Sequence, residues 1–316
     1  MNPLIYLRRQ LLSAPLLDWY RKSLPPLSDT EREALEAGNV WWDGELFSGS
    51  PHWSRLLSPP APALTAEEQA FLDGPVEQLC GMLDDWEINH HLLDLPPQVW
   101  DFIRREGFLG LIIPPRYGGK GFSALAHSAV VMKLSTRSIA AGVTVMVPNS
   151  LGPAELLLHY GTDEQKDYYL PRLARGEELP AFALTGPYSG SDAASMNDKG
   201  VVCYGEYRGS RVLGIRVDWE KRYITLGPVA TVLGVAFKLF DPEGLLGQEE
   251  ELGITLALIP TDTPGVEIGR RHYPARQAFQ NGPNRGHGVF VPMEWVIGGR
   301  QRLGQGWRML MEALAA

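Results

Sequence analysis

Three observations predict an α+β protein of several domains. Up to about residue 179 apolar residues recur at helical steps, punctuated by capping boxes and glycine stops. From Pro180 the period falls from 3.6 to 2 and stays there for more than a hundred residues. After Gly304-Gln305-Gly306 the pattern is helical again. The expected order is an N-terminal all-helical domain, an antiparallel β-barrel or sandwich domain, and the start of a third, helical domain. The boundaries read as an extension at 1–63, a helical domain at 64–179, a β domain at 180–300 and a helical start at 301–316.

The elements follow from local chemistry. The extension is punctuated by Pro25-Pro26, Pro51, Pro59-Pro60 and Pro62, while Trp41, Trp42 and Trp53 suggest that it packs on something. Residues 1–12 set Leu4, Ile5, Leu7, Leu11 and Leu12 beside Arg8 and Arg9. They read as a helix docked on its own protein or, as the alternative, lying on a membrane surface. Thr65-Ala66-Glu67-Glu68 is a capping box. Asp73 is the expected cap of a second helix with Pro75 in its first turn and Val76, Leu79, Leu83 and Trp86 as its buried stripe. Pro96-Pro97 opens a third helix, with Val99, Phe102 and Ile103 inward and Gly107 as its stop. Ser123 caps a helix to about Arg137. Pro153–Tyr160 and the boxed Thr162–Ala174 complete the domain.

In the β domain, Gly209-Ser210 is the expected turn between 201–207 and 211–217, where Leu213, Ile215 and Val217 form the apolar face. Further strands are expected at 222–226, 229–239, 254–260, 266–268 and 288–291. The helix begun at Trp307 is expected to lack a partner within the chain.

Composition removes whole classes of function. The 316 residues carry a net charge of -8, against a general nucleic-acid binder. Two cysteines, Cys80 and Cys203, form neither a disulfide framework nor a zinc spacing and suit a reducing compartment. Gly119-Lys120-Gly121-Phe122-Ser123-Ala124 fits a dinucleotide fingerprint, but no Asp or Glu follows until Glu155, so it reads as a turn. Glu87-Ile88-Asn89-His90 is an isolated E-x-x-H and reads as a solvated helix end.

The junction between the two periods is the main candidate site. Leu184-Thr185-Gly186-Pro187-Tyr188-Ser189-Gly190-Ser191-Asp192 leaves an apolar run and offers hydroxyls and close-approaching backbone. With a helical domain before it and Lys221-Arg222-Tyr223-Ile224-Thr225 after it, this loop resembles the acyl-CoA dehydrogenase patterns L-T-E-P-x-x-G-S-D and W-I-T. The resemblance extends to Gly110–Gly119, to Asn149–Pro171 and to Val291–Gly298. The extension and Trp219–Leu226 look most like the long bacterial FadE-type enzymes of fatty-acid β-oxidation.

That resemblance implies FAD as cofactor, removal of an α-proton with hydride passage to flavin N5, fatty acyl-CoA as substrate and trans-2-enoyl-CoA as product. It implies electron-transfer flavoprotein as acceptor and a homo-oligomer at full length. The implied location is cytoplasmic, with the inner face of the cell membrane as a peripheral alternative. Phe182, Leu184, Thr185, Gly190, Ser191, Tyr223 and Thr225 would contact the flavin, with the Thr225 hydroxyl at N5. Ser191 and Arg285 would meet the acyl-CoA.

Two departures qualify the match: Gly186 stands where the family has Glu, and Tyr223 where it has Trp. The family's base, a Glu of the C-terminal helical domain, is expected beyond Ala316. No residue here is then catalytic, and the isolated chain is expected to be inactive. The alternative is a non-catalytic flavin- or acyl-CoA-binding or assembly module on the same fold.

Overall fold

The computed structural model describes residues 3–24, 27–37, 40–150, 152–247 and 250–314. Met1, Pro25, Pro26, Leu151 and Ala316 lie outside them.

The helical half starts where the capping box puts it. The Thr65 hydroxyl accepts from Glu68 N (3.2 Å), and Glu68 Oε2 accepts from Thr65 N (2.8 Å). Glu68 also reaches across the domain: its Oε1 accepts from Ser123 N (2.7 Å), at the cap of the Ala124–Arg137 helix. One carboxylate therefore serves two helix starts. The Pro75–Met82 helix begins from Gly74 and not from Asp73, whose carboxylate accepts from the Gln69 amide (2.9 Å) instead. Val76, Leu79 and Leu83 are buried as expected, whereas Trp86 is exposed. The helix ends at Met82 and Leu83 is extended, so the step of three and four breaks before Trp86; Ile88 fills the core in its place.

Pro97–Arg105 buries Val99, Phe102 and Ile103 and stops at Gly107, whose φ of 78° favours glycine. The Ile139–Met146 helix has no counterpart among the expected elements. It is buried almost all round, and such a run shows no amphipathic period. Asn149 closes this region with four hydrogen bonds: Nδ2 donates to Phe108 O and Val145 O, and Oδ1 accepts from Leu111 N and Ile112 N.

Among the described residues seven strands follow: β1 (Pro180–Ala183), β2 (Lys199–Tyr207), β3 (Ser210–Thr225), β4 (Val232–Phe240), β5 (Glu251–Pro260), β6 (Val266–Ile268) and β7 (Asn281–Pro292). The expected β domain forms, but its sheet is mixed and not purely antiparallel. β1 and β2 both run parallel to β4, one at each end of the same edge, at Pro180–Ala183 against Val232–Val235 and at Lys199–Val201 against Lys238–Phe240. β5 pairs antiparallel with the other edge of β4. The β2–β3 turn is Arg208-Gly209, one residue earlier than expected, with both residues at positive φ and Tyr207 opposite Ser210. The expected strand at 222–226 is the far end of β3, joined to it through two irregularities against β7.

β4 is buried on both faces, which explains its unbroken apolar run. Leu233, Val235, Phe237 and Leu239 face the core that the curved sheet encloses. Val232 and Ala236 face a second layer with Leu156, Leu157, Leu170 and Leu173. The Gly306–Leu314 helix joins that layer through buried Met309 and Leu310 and also meets the Asp29–Ala37 helix of the extension. It therefore has partners within the chain, contrary to expectation, because its apolar face finds the outer side of β5.

Apart from that helix contact, the tryptophans of the extension pack locally. Trp42 is buried, 4.8 Å from the Trp53 ring, with Nε1 donating to His52 O, whereas Trp41 and Trp53 are exposed. Ile5, Leu7, Leu11 and Leu12 are exposed too, so the first helix is not docked as the plainer reading expected.

Backbone hydrogen bonds from Ser123 and Thr65 hold the Glu68 carboxyl down to about 2, from an ordinary 4.5. Glu68→Gln is expected to lower unfolding free energy by about 1–3 kcal/mol at neutral pH. A folded pKa below the unfolded one gives stability present above pH 4.5 and lost as pH falls towards 2. Urea unfolding of both proteins across that window is expected to show the gap closing with acid; a constant gap contradicts the assignment.

Candidate functional site

The loop Leu184–Asp198 is an excursion from one sheet edge, leaving β4 with β1 and returning to it with β2. Its neck is closed by Lys221, which is fully buried. Lys221 Nζ donates to Leu184 O (2.8 Å) at the loop's start and to Asp198 Oδ2 (2.5 Å) at its end. Asp198 Oδ1 accepts from Glu220 N (2.9 Å), locking the pair to β3. Burial lowers the Lys221 pKa, and the Asp198 carboxylate opposes that shift. The next residue adds two more ties: Arg222 N donates to Thr185 O (3.0 Å) and its guanidinium to Pro187 O (2.8 Å). Gly186 lies inside this net, where a Cβ would come within 2.9 Å of Ser189 Oγ.

The end of β3 is the other wall. Tyr223 has φ 59° and Leu226 φ 62°, so two left-handed non-glycine residues bracket Ile224-Thr225. The β3–β7 register slips between Lys221 and Ile224. Asn281, buried at the start of β7, bridges the irregularity: its Nδ2 donates to Tyr223 O (3.0 Å) and Thr225 Oγ1 (3.2 Å). The exposed Tyr223 ring lies 5.0 Å from the His272 ring.

Between the two walls is a cleft of about 210 Å³. Phe182, Leu184, Thr185, Tyr223 and Thr225 all line it, joined by Leu156 and Leu310 from the helices. The chemistry offered is the rings of Phe182 and Tyr223, the hydroxyls of Ser150, Thr185 and Thr225, the Glu155 carboxylate and apolar walls. Gly190 and Ser191 are exposed farther along the loop and do not line this cleft. Arg285 is also apart, its guanidinium paired with Glu220 (2.6 Å) at the surface, which raises its pKa.

Sequence reasoning named Lys221 only as part of a motif and missed Asp198, Asn281 and Glu155. Glu155 lines the cleft with its carboxylate 3.0 Å from His159 Nε2, an i,i+4 pair legible from the spacing. Asp198 and Asn281 carry no local signal, because their partners are 23 and 58 residues away.

The weaker motifs are structural. A Cβ on Gly119 would sit 2.1 Å from Ile113 O, so this glycine permits a packed turn. His90 stacks on Trp86 at an exposed turn. Among the described residues no group of three metal-ligating side chains gathers, and no helix is long and apolar enough to cross a membrane.

Lys221→Met leaves the Asp198 carboxylate buried without its cation and is expected to destabilise the fold by about 3–5 kcal/mol. Lys221→Met with Asp198→Leu is expected to recover most of that loss, as read from urea midpoints. A double variant no better than the single one contradicts the pairing.

Comparison with known proteins agrees with this architecture. Residues 65–177 match the model of the acyl-CoA dehydrogenase N-terminal domain, and residues 181–281 that of the acyl-CoA dehydrogenase middle domain. An acyl-CoA dehydrogenase of Bacillus subtilis is 32% identical over 185 residues, 58% of this chain and 45% of that protein. The probable acyl-CoA dehydrogenase FadE10 of Mycobacterium tuberculosis is 30% identical over 291 residues, 90% of this chain and 42% of that protein. A Bacillus anthracis acyl-CoA dehydrogenase solved in complex with FAD shares the fold at a TM-score of 0.66 and 23% identity, over 79% of this chain and 40% of that one. The chain thus spans less than half the length of each of these relatives. On two consecutive domain matches and the fold that joins them, the chain belongs to the acyl-CoA dehydrogenase family.

Proposed function

We propose that this chain provides the N-terminal and middle domains of an FAD-dependent enzyme that converts fatty acyl-CoA to trans-2-enoyl-CoA and passes the electrons to electron-transfer flavoprotein. The carrying observation is the convergence of Thr185, Tyr223 and Thr225 on one cleft from a loop and a strand end tied down by the buried side chains of Lys221 and Asn281. The residues present fit a flavin ring. Tyr223 offers a flat face, Phe182 and Leu184 an apolar wall, and the two threonine hydroxyls offer hydrogen bonds to ring heteroatoms. The FAD-containing Bacillus anthracis relative shares this fold.

Bound there, FAD would supply the hydride acceptor. This chain's own residues do the holding. Lys221 and Arg222 fix the loop carbonyls, so Thr185 is presented without a further change of backbone. Thr225 is presented from a backbone kink held on both sides. Tyr223 and the apolar wall keep water from one ring face. Gly190, Ser191 and Arg285 lie outside this cleft and belong, in this reading, to the cofactor's phosphates and the CoA portion of the substrate. We assign the catalytic base to no residue of this chain.

Titration of the purified protein with FAD, followed by flavin fluorescence and absorbance, tests the reading. Saturable binding is expected, weakened about tenfold by Thr225→Val or Thr185→Val and retained by Thr225→Ser, the size of one net hydrogen bond. Absence of saturation, or full affinity in both valine variants, sinks the proposal.

A further inference from the structure

The geometry points to Asn281 as a positioning residue that aims the Thr225 hydroxyl into the cleft. This rests on the flavin reading above and adds a residue that reading does not contain.

Asn281 is only 3% exposed and stands directly opposite Thr225 in the β3–β7 register. Its amide nitrogen is 3.0 Å from Tyr223 O and 3.2 Å from Thr225 Oγ1. A main-chain carbonyl can only accept, so the amide atom facing it must be the NH₂ group. The orientation of the amide is therefore fixed by Tyr223. The second amide hydrogen is directed to Thr225 Oγ1, which here acts as acceptor. The hydroxyl's own hydrogen is then left over. Among the described residues it has no protein acceptor within the site, and Thr225 lines the cleft. A threonine hydroxyl would otherwise rotate freely between donor and acceptor roles; this arrangement makes it a donor towards whatever occupies the cleft.

The backbone around Asn281 is itself held by two hydrogen bonds. His272 N donates to Asn281 O (2.7 Å), and Leu226 N donates to the neighbouring Gln280 O (2.8 Å). The left-handed backbone at Tyr223 turns its carbonyl out of the regular ladder and towards Asn281. One amide thus satisfies the carbonyl freed by the bulge and orients the side chain two residues later. Oxidised flavin accepts at N5, whereas reduced flavin carries a hydrogen there. In the flavin reading Thr225 would meet N5, and a donor there would favour the oxidised ring.

The test is a double-variant cycle on the purified chain, read by FAD affinity and by reduction potential. Asn281→Ala and Thr225→Val are each expected to weaken oxidised FAD about tenfold, and the double variant also about tenfold. Tenfold loss confined to the oxidised form raises a two-electron potential by about 30 mV. An Asn281→Ala protein with unchanged affinity overturns the inference. So does a double variant weakened about a hundredfold, which means that Asn281 acts independently of the hydroxyl.

If Asn281→Ala loses its cooperative urea transition, Asn281→Ser takes its place in the cycle under the same criteria. If the wild type fails to saturate with FAD, the flavin reading falls. The Asn281–Thr225 link is then decided by urea unfolding alone: non-additive losses support it and additive ones overturn it.

Discussion

A single buried ammonium holds the candidate site together. Lys221 comes from β3, yet both of its oxygen partners lie at the neck of the loop that faces β3. Burying a lysine is costly unless its charge and its donors are matched. Here Asp198 supplies the charge and Leu184 O a second acceptor, so loop and strand form one unit. Gly186, where the L-T-E-P pattern has a glutamate, lies in the loop that these bonds pin. A Cβ there would press on the Ser189 hydroxyl.

The second wall depends on a different kind of constraint. Left-handed backbone at Tyr223 and Leu226 is unfavourable for side chains of that size. It persists because neighbouring hydrogen bonds over-determine it: Asn281 takes the Tyr223 carbonyl and Gln280 the Leu226 amide. Rigid loop against strained strand leaves the cleft with two firm sides. Its remaining sides come from helices, through Leu156 and Leu310, in a layer that also buries the outer face of β4. Packing of the domains and shape of the cleft are therefore the same set of contacts.

Much of this is legible in the sequence wherever local chemistry decides the outcome. Capping boxes at Thr65 and Thr162, the left-handed glycines at 107 and 176 and the change of period at Pro180 all involve residues within a few positions of one another. Five of the residues named for the cofactor do share a cleft. What stays hidden depends on distance in sequence. The parallel pairing of β1 and β2 with one edge of β4 leaves no trace in the period of any single strand. Trp86 follows the helical step on paper, but the helix stops first. Asp198 and Asn281 look like ordinary loop and strand-end residues until the fold brings their partners to them.

The shared edge of β4 has an evolutionary consequence. Because β1 and β2 dock end to end on the same strand, the sheet's hydrogen bonding is complete on either side of the loop and indifferent to what lies between. With the neck pinned at Leu184 and Asp198, added or lost residues within the loop would change closure entropy only slowly. Residues of the loop beyond Pro187 could therefore change in number or identity while β1 and β2 keep their pairing with β4.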